Sequence, residues 1–258
     1  MKIWVSEADV LVRELKLVKK LKLKKYRDEL KLFVAEGLRL CEFATEIEFG
    51  FYTAEFLKTE RAKNLLEKIS APMYEIPTAT FEKISDTKTP QGILLAVRQK
   101  FFSLQEILSQ KLIVVLDAVH DAGNLGTILR TAEAFGCGVI ILEDSADVFN
   151  PKVIRSSMGA IFFLPLLKMT RENFLAEMKK FDVEILATAL DSTAEIYHKH
   201  AFTKKSAVVF GSEATGVSNE ILAASKKIYI PMTGRAESLN VATAAAVIIS
   251  EVCKNKNF

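Results

Sequence analysis

Two polar loops of the sequence carry side chains whose types and spacing could support chemistry. In HDAGNLGTILR, Asn124 precedes Arg130 by six residues, and an arginine is always charged and well shaped to bind phosphate. In FGSEATGVS, Glu213 lies between Gly211 and Gly216, and glycines allow a backbone to approach a ligand closely. Both stretches also fit a plainer interpretation, in which Asn124 caps a helix, Arg130 lies on the surface and the glycines form a turn.

A third polar loop, PMTGRAESLN, presents Ser238 and Asn240 just before the helix-like stretch VATAAAVIISEV. The first turns of that helix carry small side chains, which let another backbone come very near. In a soluble protein this pattern indicates deep internal packing or a subunit interface. The plainer interpretation is that Ser238 or Asn240 only caps the helix.

All three loops follow apolar runs that predict buried strands. LIVVLD, SAVVFG and KIYIPM precede the loops, and GVIILE, IFFLPL and VEILATAL are further runs of this kind. Helix-like patterns lie between them, among them LGTILRTAEAFG, closed by Gly136, and PKVIRSSMG, which begins with a proline suited to a first helical turn. Alternating strands and helices predict an α/β fold with a parallel sheet. Ligands bind beyond the C-terminal ends of such strands, so we expect the three loops to form the binding site.

The sequence divides into three predicted parts. Residues 1–98 contain a basic helical segment and then a small α/β unit, which ends in the strand-like GILLAVR. Residues 99–111 are predicted to be a linker, and residues 112–258 to form the parallel α/β domain. We therefore expect a small N-terminal domain and a larger C-terminal domain that carries the three loops.

The basic residues of the chain are concentrated near its beginning. The stretch KLVKKLKLKKYR, residues 16–27, has seven Lys or Arg residues and no acid, whereas the whole chain has a net charge of only +3. Tyr26 lies between two of these cations, and such a ring can stack on a base while the cations meet phosphates. We predict that Lys24, Lys25, Tyr26 and Arg27 bind RNA; the alternative is a solvated helix face.

Several other kinds of site find little support. There is no G-x-G-x-x-G fingerprint and no P-loop lysine pattern, which argues against a Rossmann dinucleotide site and a nucleoside-triphosphate site. His198 and His200 have no third ligand near them in sequence, and the three cysteines are widely spaced, so no metal site is predicted. The odd number of cysteines indicates a reducing compartment, and no apolar run approaches the roughly 18 residues of a membrane span. We expect a cytoplasmic protein without a signal peptide.

Taken together, the three loops closely resemble the three motifs of the SpoU (TrmH-type) RNA 2′-O-ribose methyltransferases, in the SPOUT superfamily. The first motif is similar to NLGTILRTAEAFG, the second to FGSEATGVS and the third to IPMTGRAESLNVATAAAVI. The stretch NPKVIRSSMGAIFFLP is also similar, and the resemblance covers residues 112–253. Less specifically, KKYRDELKLFVAEG and SDTKTPQGILLAV resemble the substrate-binding domain of several ribosomal-RNA members. One departure is Ala122, where many members have proline, and it removes no reactive group.

The resemblance implies a C-terminal domain with a deep trefoil knot, although knots are nearly absent from other folds. It implies that S-adenosylmethionine binds in the knot, bent and held mostly by backbone groups. It also implies a homodimer with the active site near the dimer interface. The extra N-terminal domain makes 23S ribosomal RNA the expected substrate, because shorter members often modify transfer RNA.

The resemblance further implies a role for each motif residue. The expected catalytic residues are Asn124, Arg130, Glu213, Ser238 and Asn240. The expected cofactor-binding residues are Gly211, Ile230, Met232 and Leu239. The resemblance implies Arg130 as the base that takes the 2′-hydroxyl proton, but an arginine is effectively never deprotonated in water. We therefore expect Arg130 to orient the RNA phosphate and ribose and to shuttle the proton.

Three other functions stay open at this point. A transfer-RNA 2′-O-methyltransferase would use the same motifs. A catalytically silent RNA-binding homologue would have no chemical need for all five catalytic residues. A Rossmann oxidoreductase would need the glycine fingerprint that the sequence lacks.

Overall fold

The structure, a computed structural model, describes residues 7–202 and 205–255 of the chain. The chain forms two compact units, each with its own sheet and its own hydrophobic core. The first unit comprises Met1–Gln99 and Phe149–Phe162, and the second comprises Lys100–Val148 and Phe163–Phe258. Within the described ranges, no helix is both long and apolar enough to cross a membrane.

Strands and helices alternate along most of the chain. The strands are β1 (Leu32–Glu36), β2 (Ile47–Tyr52), β3 (Met73–Glu75), β4 (Ile93–Arg98), β5 (Leu112–Leu116), β6 (Gly138–Leu142), β7 (Leu166–Met169), β8 (Glu184–Thr188), β9 (Glu195–Ile196), β10 (Ser206–Phe210) and β11 (Lys226–Tyr229). The helices are α1 (Glu7–Leu21), α2 (Lys24–Leu30), α3 (Leu38–Phe43), α4 (Glu60–Lys68), α5 (Thr78–Ile84), α6 (Leu104–Leu108), α7 (Ala122–Ala134), α8 (Pro151–Ser156), α9 (Arg171–Lys180), α10 (Asn219–Ala223) and α11 (Val241–Asn255). Short 3₁₀ turns occur at Phe56–Lys58, Ala160–Phe162 and Tyr197–Lys199.

The first unit is built on a four-stranded sheet with the order β1-β4-β2-β3. Strand β4 is antiparallel to both β1 and β2, and β3 is parallel to β2. Val18 and Leu21 of α1 belong to the same buried cluster as Phe51 and Leu94 of the sheet. Burial of this face of α1 leaves the lysines of its last two turns exposed to solvent.

Residues 149–162 join the first unit although they follow β6 of the second. Phe149 stacks on Phe33 of β1 with ring centroids 5.0 Å apart. Asn150 caps α8 by accepting from the backbone N–H of Lys152 at 2.9 Å, and a proline fills the first helical position as predicted. Gly159, with φ of 98°, leaves no room for a Cβ, which would lie 2.5 Å from the ring of Phe43.

The second unit is built on a seven-stranded sheet with the order β7-β6-β5-β10-β8-β11-β9, and every paired strand in it is parallel to its neighbour. The central strands β5, β6 and β10 are buried along their whole length, which explains their continuous apolar sequence. Helices α7 and α11 pack against each other, and α11 also contacts β5. The predicted α/β fold, with a parallel C-terminal sheet and a small N-terminal domain, is confirmed.

Two local predictions differ from the structure. IFFLPL was expected to be a strand, but residues 160–162 form a 3₁₀ turn and β7 begins at Leu166. Pro165 lacks an N–H group for the ladder, so regular pairing starts after it. The expected linker at 99–111 contains α6, with a capping box between Ser103 and Glu106 and a buried Ile107. The domain boundaries themselves stay a prediction.

Candidate active site

A cavity of about 430 Å³ opens at the C-terminal ends of β8, β10 and β11 in the second unit. The loops that follow these strands and the first turns of α11 complete its walls. All four predicted cofactor-binding residues line it: Gly211, Ile230, Met232 and Leu239. Three predicted catalytic residues line it too: Glu213, Ser238 and Asn240. The structure therefore brings most motif residues around one space whose volume is typical of a small-molecule site.

The glycines of the second loop are required by its tight fold. The backbone groups of Ser212 and Gly216 pair with each other, with N···O distances of 3.1 and 2.9 Å. A Cβ atom on Gly211 would lie 2.1 Å from the carbonyl carbon of Gly216 and 2.3 Å from the nitrogen of Val217. Gly216 has φ of 70°, a left-handed conformation that favours glycine. The loop thus folds back onto Gly211 and carries Glu213 near its tip.

Side chains from the three motifs meet in one chain of hydrogen bonds. Nδ2 of Asn240 donates to Oδ1 of Asn124 at 3.0 Å, and Nδ2 of Asn124 donates to Oε1 of Glu213 at 2.5 Å. Oδ1 of Asn240 accepts from the backbone N–H groups of Ala242 and Thr243, at 2.9 and 3.3 Å. Asn240 therefore caps α11, as the plainer interpretation holds, and also takes part in the chain of side chains.

The orientation of each amide follows from the groups at the two ends of this chain. The N–H groups at the start of α11 can only donate, so Asn240 presents its oxygen to them and its NH₂ group to Asn124. Asn124 must then present its oxygen to Asn240 and its NH₂ group to Glu213, whose ionised carboxylate can only accept. The start of α11 thus fixes the orientation of a carboxylate at the cavity wall.

Asn124 does not cap α7, contrary to the plainer interpretation. Asp121 is the N-cap, and its Oδ1 accepts from the backbone N–H of Asn124 at 2.8 Å. Asn124 lies in the first turn of the helix, which leaves its side chain available to Glu213 and Asn240.

The structure does not bring Arg130 into this group of side chains. Arg130 lies six residues beyond Asn124 on α7, roughly 9 Å further along the helix axis. It is exposed, and no hydrogen bond or ion pair joins it to another described residue. Ser238 lines the cavity, and no hydrogen bond of its hydroxyl is found in the described ranges. The catalytic roles of Arg130 and Ser238 stay predictions.

Of the four residues predicted to bind RNA, Arg27 has a structural role instead. Its side chain is buried, and Nη1 donates to the backbone oxygens of Leu21 and Lys22 at 2.7 and 2.8 Å. These carbonyls close the end of α1, so Arg27 is occupied as a C-terminal cap and does not face solvent. Its assignment to RNA binding is therefore wrong.

The other three predicted residues remain available at the surface of the first unit. Lys24 and Lys25 are exposed, and Tyr26 is half-buried. The ammonium nitrogens of Lys20 and Lys25 lie 5.4 and 5.9 Å from the centre of the Tyr26 ring, within cation–π range. The sequence pattern thus becomes a cluster in space, with cations beside an accessible ring.

His200 takes part in a hydrogen-bonded cluster that sequence reasoning did not foresee. Its Nδ1 lies 2.9 Å from Oε2 of Glu195, and its Nε2 lies 3.1 Å from Oε2 of Glu184. Lys226 also reaches Glu184, at 2.8 Å. Burial raises the pKa of Glu184, but the hydrogen bonds from Lys226 and His200 outweigh it and lower that pKa below its usual value.

No group of three or more His, Cys, Asp or Glu side chains in the described residues is placed to hold a metal ion.

Sequence reasoning also missed an ion pair between a buried acid that contacts the second loop and a partly buried arginine. Asp117 directly follows β5 and is 1% exposed, and Arg171 begins α9 with its guanidinium 2.8 Å from the Asp117 carboxylate. The sequence feature that could have revealed Asp117 is its position as an acidic residue immediately after the apolar run LIVVL.

Sequence comparison agrees with this site. The sequence profile of the SpoU rRNA Methylase family matches residues 111–250, and that of the MRM3-like substrate binding domain matches residues 13–95. The first match spans more than half of the chain and contains all three motifs. The chain belongs to the SpoU rRNA methylase family.

Two rRNA methyltransferases match along nearly the whole chain, and a tRNA-modifying enzyme matches part of it. The 23S rRNA (guanosine(2553)-2′-O)-methyltransferase RlmP of Bacillus subtilis is 33% identical over 234 residues, which cover 90% of this chain and 92% of that protein. The crystal structure of an AdoMet-bound rRNA methyltransferase from Sinorhizobium meliloti superposes with a TM-score of 0.84 at 28% identity, over 98% of this chain and 97% of that one. The TrmH/SpoU tRNA modifying enzyme of A. aeolicus covers only 59% of this chain and 80% of its own, with a TM-score of 0.51 at 29% identity.

The residues around the cavity fit S-adenosylmethionine, the cofactor of this family. The space of about 430 Å³ suits a small molecule. Leu190 and Leu239 line it and are 65% and 38% exposed, so they offer apolar surface that a ring could cover. Gly211 lines the cavity directly after the C-terminal end of β10, where polar groups of a ligand can be met by backbone N–H and C=O groups.

Proposed function

We propose that this chain transfers the methyl group of S-adenosylmethionine to a ribose 2′-hydroxyl of 23S ribosomal RNA. The observation that carries the proposal is the chain Asn240–Asn124–Glu213, which holds a carboxylate in a fixed orientation at the rim of a cofactor-sized cavity. A silent RNA binder has no need of such an arrangement.

Ribosomal RNA is favoured over transfer RNA because of how the relatives match. The Bacillus subtilis 23S rRNA enzyme spans both profile matches, including the part that corresponds to the first unit. The tRNA-modifying enzyme covers 59% of this chain. The first unit is therefore the part of the chain that would bind a larger RNA substrate beyond the catalytic domain.

The reaction requires an oxygen nucleophile to attack a methyl group. When bound, S-adenosylmethionine supplies that methyl group on a sulfonium, already activated toward attack. The 2′-oxygen forms the new bond to carbon while the carbon–sulfur bond breaks, and the hydroxyl proton must leave. A carboxylate in hydrogen-bond reach of the hydroxyl can assist its departure.

We assign to Glu213 the hydrogen bond from the attacking hydroxyl. Among the described residues that line the cavity, Glu213 carries the only carboxylate. Asn124 donates to Oε1 of Glu213, which leaves Oε2 as the acceptor that we assign to the substrate hydroxyl. Arg130 stays protonated and binds the neighbouring RNA phosphate, and Ser238 orients the ribose.

Lys24, Lys25 and Tyr26 form the proposed RNA-binding surface of the first unit. Lysines contribute to RNA affinity through phosphates, and the half-buried Tyr26 ring can stack on an unpaired base. The double variant Lys24→Ala, Lys25→Ala is expected to lower the slope of log affinity against log salt by about 1.5, since two phosphate contacts are lost. Lys63→Ala removes an exposed lysine of α4 and is the matched control, with an unchanged slope.

Three further properties belong to the proposal. The small residues of α11 support a homodimer formed through the catalytic domain. The trefoil knot implied by the family resemblance stays a prediction. We place the protein in the cytoplasm, a reducing compartment in which its three cysteines would stay reduced.

The proposal is tested by incubating the protein with labelled S-adenosylmethionine and total RNA from cells that lack this gene. The RNA is separated by size before counting. Label is expected in 23S rRNA and not in transfer RNA. Label in the transfer-RNA fraction would keep the enzyme and overturn its substrate, and cofactor binding without label in any fraction of RNA or of ribosomal particles would favour a silent binder.

Glu213→Gln and Arg130→Lys separate the two side-chain roles. Glu213→Gln keeps the shape and loses the charge, so kcat is expected to fall with little change in RNA affinity. Arg130→Lys keeps the charge and loses the planar fork, so the KM for RNA is expected to rise. Glu220→Gln, an exposed change on α10, is the control for both. A Glu213→Gln variant with wild-type kcat would remove Glu213 from the reaction.

A further inference from the structure

The second loop is anchored at its far end by a residue outside the three motif side chains. The backbone N–H of Ser218, which follows the loop, donates to Oδ2 of Asp117 at 2.7 Å. Asp117 itself continues the β5–β10 ladder, since its N–H donates to the backbone oxygen of Phe210 at 2.9 Å. Asp117 thus bonds to the residue before the loop and to the residue after it.

The carboxylate of Asp117 is paired with a partly buried arginine. Nε of Arg171 donates to Oδ1 of Asp117 at 2.8 Å, and the Arg171 side chain is 15% exposed. Nη1 of Arg171 also reaches Oδ2 of Asp144 at 3.0 Å, but that carboxylate is 68% exposed. Asp144 therefore shares the guanidinium with Asp117 without touching the loop.

Between these two anchors the loop has little freedom. Ser212 and Gly216 close its base, and Gly211 is covered by the backbone of Gly216 and Val217. A displacement of Ser218 is therefore passed through four residues to Glu213. Within the described residues, the hydrogen bond from Asn124 is the only one that holds the Glu213 side chain. The position of Glu213 depends on both contacts.

We propose that Asp117 is a positioning residue for methyl transfer: its carboxylate fixes the end of the loop that carries Glu213, and the hydrogen bond from Arg171 holds that carboxylate in place. The inference rests on the proposed function, because the loop matters to activity only if Glu213 and the cavity do. Asp117 is not among the residues that line the cavity, so its proposed effect on the reaction is exerted through the loop.

Asp117→Asn is the direct test because an asparagine can satisfy one of the two donors but not both. The amide oxygen can accept from Ser218 or from Arg171, and the NH₂ group then faces the other donor. Asp144→Asn is the matched control, since it removes charge beside the same Arg171 and leaves the loop contact intact.

Ser218→Pro tests the loop contact from the other side. Ser218 has φ of −60°, within the range of proline, and the change replaces the N–H group that donates to Asp117 with a ring carbon, which must push Oδ2 away. The negative charge of Asp117 is kept in this variant. Ser218→Pro therefore breaks the loop contact without removing the charge of Asp117.

Methyl transfer by the purified full-length variants is measured well below their unfolding midpoints, with kcat and the KM for S-adenosylmethionine determined separately. We expect kcat to fall at least tenfold in Asp117→Asn and Ser218→Pro, and less than twofold in Asp144→Asn. Wild-type kcat in Ser218→Pro would overturn the inference, and so would equal losses in Asp117→Asn and Asp144→Asn. Lack of transfer by the wild-type protein would instead count against the proposed function.

Discussion

Replacing Asn240 by aspartate should reverse the direction of hydrogen bonding at the site while keeping the helix cap. An aspartate at this position still accepts from the N–H groups of Ala242 and Thr243, which are 2.9 and 3.3 Å from Asn240 Oδ1. It offers no donor to Asn124, so an oxygen would face Oδ1 of Asn124 at the present 3.0 Å. Asn124 can relieve this only by turning its amide, which would place its oxygen against Glu213.

The expected loss follows from one hydrogen bond to a charged group. Such a bond contributes about 1.5–3 kcal/mol when buried. The three side chains here are partly or fully exposed, so we expect roughly 1–2 kcal/mol, or about a 5- to 30-fold fall in kcat/KM. Because Asn and Asp are about equally good caps, the unfolding midpoint should stay within about 2 °C of wild type.

The assay pairs methyl-transfer kinetics with thermal unfolding, and Asn240→Ser is the control. Serine also caps α11 but removes the donor to Asn124 without adding a charge, so its loss of activity should be smaller than that of Asn240→Asp. An Asn240→Asp protein with wild-type kcat/KM would refute the reasoning. A large fall in the unfolding midpoint would show instead that the change acts on the helix.

Further variants test single contacts. Gly211→Ala places a Cβ against the backbone of Gly216 and should weaken cofactor binding about tenfold, for an overpacking cost of about 1–3 kcal/mol, as measured by calorimetric titration. Arg27→Ala leaves two carbonyls of α1 without their charged donor and should destabilise the protein by about 3 kcal/mol in urea unfolding. Glu184→Gln should lower stability at neutral pH by no more than about 1 kcal/mol. The pKa of Glu184 is lower in the folded protein than in the unfolded chain, where it is near 4.3, so the ionised carboxylate stabilises the fold above that pH. The difference in stability between Glu184→Gln and wild type should therefore vanish as the pH falls through the folded-state pKa.

The fold was predictable where sequence pattern and burial coincide. Continuous apolar runs mark β5, β6 and β10 because these strands are buried on both faces, and the polar loops after β10 and β11 line the cavity. The first position of α8 was readable from its proline. By contrast, the four-residue β7 was misplaced because a single proline interrupts an apolar run, and the two-residue β9 is too short to show a pattern.

The contacts that define the site were harder to predict because they join distant parts of the chain. Asn240 and Asn124 are 116 residues apart, and Asn124 and Glu213 are 89 apart, so no local spacing reveals that they meet. Arg27 shows the same limit, since its sequence neighbours are exposed cations and only the fold shows that its guanidinium turns inward. Resemblance supplied the identity of the motif residues, and the structure shows how three of them are connected.

The most direct test of the account is the chemical position of the transferred methyl group. Ribosomal RNA labelled by the protein would be hydrolysed in alkali, because a 2′-O-methyl group protects the adjacent phosphodiester while a base methyl group does not. We predict that the label remains in alkali-resistant dinucleotides from 23S rRNA, and that Glu213→Gln greatly reduces it. Label recovered only in mononucleotides would mean that the ribose is not methylated, and would contradict the central claim.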